Sequence, residues 1–391
     1  MSDPGPEIPL ALYVHMPWCV RKCPYCDFNS HPLSANAPPS GYIDVLIHDF
    51  DTELPLIEGR GLESVFFGGG TPSLFRPDEL ARLLEALKRR IRLAEGAEIT
   101  LEANPGTIER GRFAGYREAG INRVSLGAQS FAAPSLERLG RIHRPEDTFR
   151  AVEELRTAGI DNFNLDLMYA LPEQTLAEAL HDVRAACELE PTHISHYQLT
   201  LEPGTVFHAR PPPLPDEDAV FMMQTECQRV LGAYGFEQYE VSAYARAGAR
   251  CTHNLNYWLF GDYVGVGAGA HGKLTMAVPD HILRTEKPRS PRDYQERAKT
   301  PTVSEGYASL GERRRVKPSE LPFEFMLNAL RLDEGFAMPD FERRTGLSSS
   351  VLEPALGKAA ARGLLVSTAR GWRTTELGRR FLNDVQAGFL E

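Results

Sequence analysis

Cysteine is scarce, with six residues in a chain of 391, and tryptophan scarcer still, with three. So few thiols exclude a small disulfide-stapled scaffold. No apolar run reaches the roughly 18 residues that a membrane-spanning helix needs. Positive charge is in deficit as well: 43 basic against 53 acidic residues leave a net charge of −10. That balance disfavours the broad basic face of a dedicated nucleic-acid binder, and no nucleic-acid partner is expected. The start, Met1-Ser-Asp-Pro-Gly-Pro-Glu7, lacks the basic and apolar stretches of a secretory signal, so the expected compartment is the cytoplasm. Missing too are a Ser-His-Asp arrangement, a phosphate-binding loop ending in Gly-Lys-Ser/Thr and a His-Glu-x-x-His pair, which removes the usual hydrolase and nucleoside-triphosphatase readings. There is no internal repeat.

What is present reads as an ordinary folded chain, 42% hydrophobic and 25% charged. The length exceeds the roughly 250–300 residues at which single cores stop growing, so one large unit and a smaller one are expected. Six short β-rich runs, Leu10–Pro17, Glu63–Phe67, Ile99–Ala103, Arg123–Gly127, Phe163–Ala170 and His193–Leu199, alternate with amphipathic stretches such as Pro77–Ile91, Pro145–Ala158 and Thr175–Leu189. This alternation predicts an α/β fold of parallel strands joined by helical crossovers, either a partial barrel or a doubly wound open sheet. In both layouts, chemistry gathers on the loops after the carboxyl ends of the strands. Pro211-Pro-Pro-Leu-Pro215 predicts a stiff linker, Glu217–Tyr234 a helix, and the segment from there to about 275 an irregular Gly- and Tyr-rich stretch. Residues 276–310 read as loop. Beyond them, Phe323–Leu332, Leu352–Arg362 and the turn-rich 363–373 predict helices with a small β-wing. The expected units are 1–300, with an extension at about 205–275, and 301–391.

Three of the six cysteines fall within eight residues, as Cys19-Val-Arg-Lys-Cys23-Pro-Tyr-Cys26, just after the first predicted strand. This spacing aims three thiolates from one tight loop at one place, and soft sulfur ligands suit an iron–sulfur cluster or zinc. A four-iron cube held by three cysteines leaves one iron open to a small molecule. A structural zinc would want a fourth ligand, and His15 or His31 lies near enough in sequence to supply it.

The stretch Tyr13-Val-His-Met-Pro-Trp-Cys-x3-Cys-Pro-Tyr-Cys resembles the signature of radical S-adenosylmethionine (SAM) enzymes of the coproporphyrinogen-oxidase branch. The resemblance implies a [4Fe–4S] cluster on Cys19, Cys23 and Cys26, with SAM on the open iron, and a partial (β/α)6 barrel resembling a TIM barrel, followed by a winged-helix-like C-terminal domain. It continues through Gly68-Gly-Gly-Thr71, Leu101-Glu-Ala-Asn-Pro-Gly106, Leu126-Gly-Ala-Gln129, Arg138-Leu-Gly-Arg141 and Asn164-Leu-Asp166. Carried over residue by residue, it makes Tyr13, Tyr25, Gly69, Gly70, Thr71, Glu102, Gln129, Arg141 and Asp166 the expected SAM contacts. The chemistry is apt: SAM bears an ammonium, a carboxylate, a ribose and an adenine, which call for acid, arginine and amide partners.

Oxygen-independent coproporphyrinogen oxidases carry a further cysteine two residues after the third. Phe28 occupies that position here, which speaks against oxidase activity and instead matches the HemW-type haem chaperones. His253-Asn-Leu-Asn-Tyr257-Trp258 resembles the His-Asn-x-x-Tyr-Trp motif of that group. The resemblance implies haem as a third cofactor, with His253 as axial ligand and Tyr257 and Trp258 packed on the porphyrin; Cys251, two residues earlier, is a distant second as a thiolate ligand or a buried thiol. It further implies haem-accepting proteins as partners, with respiratory haemoproteins at the inner membrane as the expected acceptors. An electron donor is needed if SAM is cleaved, and a homodimer is compatible. The alternative is a radical SAM enzyme acting on a porphyrinogen. Gly265-Val-Gly-Ala-Gly-Ala-His271 lacks a full dinucleotide fingerprint and reads as close backbone packing. His193 and His196 are expected to face a cavity or solvent, and Cys187 and Cys227 to be small core residues.

Overall fold

The computed structural model describes residues 8–33, 38–57, 59–106, 111–276, 281–304 and 306–390. The first seven residues, on which the signal-sequence argument rests, lie outside them. Each of the six expected strands forms: β1 (Leu10–Met16), β2 (Gly61–Gly69), β3 (Arg92–Ala103), β4 (Arg123–Gln129), β5 (Phe163–Tyr169) and β6 (His193–Gln198). β1 is Leu-Ala-Leu-Tyr-Val-His-Met, buried at every position but Tyr13. Such continuous burial is what a strand covered on both faces requires, and it explains why this run is almost wholly apolar rather than alternating.

The six strands pair in sequential order and in parallel, with Leu12 beside Val65 and Met16 beside Gly69 at the first pairing. Sequential order excludes the doubly wound alternative, in which the chain reverses direction across the sheet. Helices Pro77–Lys88, Pro145–Thr157 and Leu176–Glu188 form three of the five crossovers, with Tyr42–Glu53 and Phe113–Ala119 in the other two; the first two named open on proline and the third on a capping box between Thr175 and Glu178. The sheet extends past both edges, so the barrel is partial. β7 (Asp262–Val266) runs parallel to β1, and β8 (His271–Met276) and β9 (His281–Glu286) follow antiparallel. Ala243–Ala245 lies antiparallel to β6.

Residues 235–304 therefore differ from the irregular stretch and loop expected of them. They contribute these strands, a short helix Thr252–Trp258 and a helix Pro291–Lys299. The glycines of Gly265–His271 are close-packing positions: a Cβ on Gly265 would stand 2.0 Å from the His271 carbonyl oxygen, and one on Gly267 2.3 Å from that of His15. Strands approach so closely here that only glycine fits, as the sequence reading of this loop expected.

A second core, built on Phe325, Phe336, Phe341, Leu352 and Leu356, organises the C-terminal helices around a three-stranded wing. Phe260 and Ile282 belong to that core. Cys187 and Cys227 are buried within helices of the main core.

Candidate functional site

A cavity of about 630 Å³ opens at the carboxyl ends of the barrel strands. The loop after β1 presents Cys19, Cys23 and Cys26 to it; Gly69, Gly70 and Thr71 come from the end of β2, Glu102 from β3, Gln129 from β4, Asp166 from β5, and Arg141 and Tyr25 from loops. Backbone bonds hold the cysteine loop: Cys26 N–H donates to the Cys23 carbonyl at 3.2 Å, and Leu33 N–H to that of Cys19 at 2.9 Å. Each thiol has a polar neighbour. Thr71 Oγ1 donates to Cys19 Sγ at 3.5 Å, Arg141 Nη1 donates to Cys23 Sγ at 3.8 Å, and Ser30 Oγ lies 3.9 Å from Cys26 Sγ. Burial pushes the Cys19 and Cys26 thiols up, while the Thr71 hydroxyl pulls Cys19 the other way.

Among the described residues, no three His, Cys, Asp or Glu side chains converge on a point that one metal ion could occupy. The three thiols instead stand around a cavity, an arrangement suited to a group larger than an ion. His15, a possible fourth zinc ligand by sequence, has both ring nitrogens engaged: Nδ1 accepts from the Tyr13 hydroxyl at 2.9 Å and Nε2–H donates to the Asn29 carbonyl at 2.8 Å.

Two half-buried carboxyls, Glu102 and Asp166, face the cavity. Burial raises the Glu102 carboxyl to about 8; the neighbouring Asp166 reinforces the rise, while the Gly69 N–H, donating at 3.1 Å, opposes it. Burial raises Asp166 as well, against hydrogen bonds from Asn164 at 2.8 Å and Ser125 at 3.1 Å. The glycines beside them are obligatory. A Cβ on Gly70 would lie 2.5 Å from the Trp18 carbonyl oxygen, and Gly69 has φ +118° with the His15 ring 2.8 Å from its Cβ position. Gln129 adopts φ 67° at a register shift between β4 and β5, and its side-chain oxygen accepts from Tyr197 at 2.8 Å.

Arg141 is the hub. Besides Cys23, its guanidinium bonds the Gly127 carbonyl at 2.9 Å and Asn104 Oδ1, while Asn104 Nδ2 donates to Thr71 Oγ1 at 3.0 Å. A polar path thus joins Cys23 to Cys19 through Arg141, Asn104 and Thr71. Asn104 was not among the expected site residues, although its place just past the carboxyl end of β3, within Leu101-Glu-Ala-Asn-Pro-Gly106, carried the signal. Arg331 also reaches this cavity, from the C-terminal unit, and nothing local in the sequence marks it.

Tyr13, expected among the SAM contacts, lies outside the first cavity. It lines a second one of about 670 Å³ and a third, deeper one of about 220 Å³. The second shares Asp27, Phe28, Gly69 and Glu102 with the first, and Glu102 borders all three.

The expected haem residues are not gathered on one face. His253 is buried beneath Tyr13, 4.9 Å from the stacked ring of Phe66, with Nδ1 bonded to Ser64 Oγ at 2.9 Å and Nε2 to the Tyr257 hydroxyl at 3.2 Å. Burial lowers its imidazole to about 3. An iron ion would have to displace one of these two bonds, because helical spacing places Tyr257 over the ring. Trp258 turns away toward the C-terminal unit, where the Arg331 guanidinium lies 4.3 Å above its ring. Cys251 is buried as a thiol, pushed up to about 12, and donates to Glu98 Oε1 at 3.4 Å. His193 and His196 face neither cavity nor solvent: His193 bonds Asn164 and Tyr239, and His196 stacks on Tyr169.

Residues 13–186 match the profile of the radical SAM superfamily, and residues 316–381 that of the HemN C-terminal domain. The chain is 48% identical over 383 residues to the heme chaperone HemW of Escherichia coli, covering 98% of each protein. It is 47% identical over 386 residues, again 98% of each, to that of Haemophilus influenzae, and 31% identical to that of Bacillus subtilis over 97% of this chain and 99% of the relative. The crystal structure of E. coli coproporphyrinogen III oxidase, HemN, superimposes with a TM-score of 0.81 over 98% of this chain and 90% of the other; at 22% identity it speaks to fold alone.

Proposed function

Because the chain belongs to the HemW family of radical SAM proteins, we propose that it binds a [4Fe–4S] cluster, SAM and haem, and delivers the haem to haem-requiring proteins. The observation that carries the reading is the cavity ringed by Cys19, Cys23 and Cys26 on one side and by Glu102 and Asp166 on the other. The thiols hold the cluster, whose sulfur ligands come from one loop, and the Arg141 and Thr71 donors are aimed at the Cys23 and Cys19 sulfurs. When bound, the cluster supplies an electron able to cleave the sulfonium of SAM.

SAM is cationic at its sulfonium and ammonium, so the paired carboxyls give it charge complementarity, and Gly69 and Gly70 let it approach the backbone. Gln129, Arg141 and Tyr25 complete its surroundings, and Tyr13 lines the two neighbouring cavities that Glu102 also borders. Phe28, 61% exposed, occupies the oxidase's cysteine position and lines the first two cavities. It offers no thiolate for chemistry there.

The haem acceptors in this reading are respiratory haemoproteins, met at the inner membrane by a cytoplasmic protein. An electron donor serves the cluster if SAM is cleaved, and a homodimer is compatible with the reading. No helix among the described residues is long and apolar enough to cross a membrane. The two units divide near residue 300, with residues 205–275 as the haem-related extension of the barrel.

Anaerobic reconstitution followed by iron analysis and hemin titration tests the proposal. About four iron per chain and a saturable Soret change are expected. Zinc in place of iron, or decarboxylation of coproporphyrinogen with SAM and reductant, would replace it.

A further inference from the structure

We propose that the haem iron is ligated by His271, at the second cavity, and not by His253. The inference rests on the haem-carrier reading above and specifies its site.

Three observations lead there. The first is room. The pocket beside His253 measures about 220 Å³, below the roughly 300–1,000 Å³ of sites that hold ligands of moderate size, whereas the second cavity measures about 670 Å³. The second is an available imidazole. Both His253 and His15 have each ring nitrogen hydrogen-bonded. His271 opens β8, is exposed, borders the cavity, and makes no side-chain hydrogen bond to any described residue. A ligand to iron needs a lone pair that is not already engaged, and His271 offers it.

The third is the setting of that imidazole. His271 lies directly across from Glu286 in the antiparallel pairing of β8 and β9. Cross-strand neighbours stand within side-chain reach, and a carboxylate on the second nitrogen is the usual partner that orients a ligating histidine. The walls suit a planar macrocycle. Tyr257 and Tyr263 meet edge to face with ring centres 4.4 Å apart, and Phe28 projects from the cysteine loop. Arg289 at the mouth is a counter-ion for one propionate. The acids of this cavity are Asp27, Glu102 and Glu286, so Arg289 is the lining cation that would hold a propionate, and His271 would hold the iron. Tyr257 of the His-Asn-x-x-Tyr-Trp segment thus lines the haem wall directly, and His253 acts through it as a positioning residue that fixes the Tyr257 hydroxyl.

The test is hemin titration of the full-length, anaerobically reconstituted protein, read by Soret absorbance and by resonance Raman or electron paramagnetic resonance of the ferric iron. His271→Ala is expected to weaken hemin binding by at least about tenfold and to remove the histidine-ligated signature, and free imidazole is expected to restore that signature. His253→Ala is expected to keep the signature; Glu286→Gln is expected to keep it with altered iron–imidazole frequency. An unchanged spectrum in His271→Ala, or its loss in His253→Ala alone, overturns the assignment while leaving haem carriage intact. Absence of a saturable Soret change in the unmodified protein overturns the haem reading itself. Since His271 is exposed, its removal leaves the core untouched, and an unchanged melting curve separates ligand loss from misfolding.

Discussion

The pH dependence of SAM binding follows from one carboxyl. Glu102 sits between the cavities with its acid form favoured up to about pH 8, mainly because burial penalises the carboxylate and secondarily because Asp166 stands beside it. A cationic ligand that pairs with the ionised form must draw its proton off first. The apparent dissociation constant then scales as one plus ten to the power of pKa minus pH. For a pKa of about 8, binding is weakened about 30-fold at pH 6.5 and hardly at all at pH 8.5, so affinity rises about 25-fold across that window, or about 1.9 kcal/mol. Stability moves the other way. The folded pKa lies above the unfolded value of about 4.5, so the native state holds more protons between those limits and loses stability as pH climbs from about 4.5 to 8. Calorimetric titration of the cluster-loaded protein with SAM, in buffers of different ionisation enthalpy, should show proton release near pH 7. Glu102→Gln should abolish the pH slope, bind SAM more weakly at pH 8.5, and melt higher than the parent in its ligand-free form at pH 8.5 while matching it near pH 5. A flat affinity profile in the parent, or the same slope in Glu102→Gln, would refute the reasoning.

Replacing any of Cys19, Cys23 or Cys26 by alanine should reduce reconstituted iron from about four per chain to below one, measured by iron analysis and the loss of the visible cluster absorption. Gly70→Ala should cost about 1–3 kcal/mol in denaturant titration, because its Cβ would meet the Trp18 carbonyl oxygen at 2.5 Å and backbone, not a flexible side chain, must give way. His253→Ala should destabilise by about 2–4 kcal/mol in the same assay, since it empties the space against Phe66 and strands the Ser64 and Tyr257 hydroxyls. Arg331→Ala should lower stability by about 1–3 kcal/mol, through loss of the stack on Trp258 and of the ion pair with buried Glu240 at 2.9 Å.

The strands that build the barrel were readable because a parallel strand buried on both faces is rich in apolar residues: Leu10–Met16 is apolar but for His15, and Arg123–Gln129 and Phe163–Tyr169 keep Val124, Leu126, Leu165 and Leu167 between their polar residues. Residues 235–304 were not readable as strands and helices: the sequence marked the glycines at 265, 267 and 269 as close-packed, but only the fold shows that the backbone of His271 and His15 and the side chain of Asn29 lie against them. His253 shows the same limit in a side chain. Its motif marks it as a residue of consequence, but only its neighbours Ser64 and Tyr257 reveal that neither nitrogen is available.

The linear chain by itself determined the cysteine loop, the order of strand and helix, and the acids and glycines at strand ends, because each depends on residues close in sequence and on a period of two or 3.6. Tertiary structure alone decided which of these share a cavity. Asn29 donates to the carbonyls of Ala268 and Arg289 at 2.9 and 2.8 Å, across more than two hundred residues, and this contact brings the cysteine loop against His271. No local pattern encodes such a meeting, since it follows from the parallel pairing of Asp262–Val266 with the first strand of the barrel.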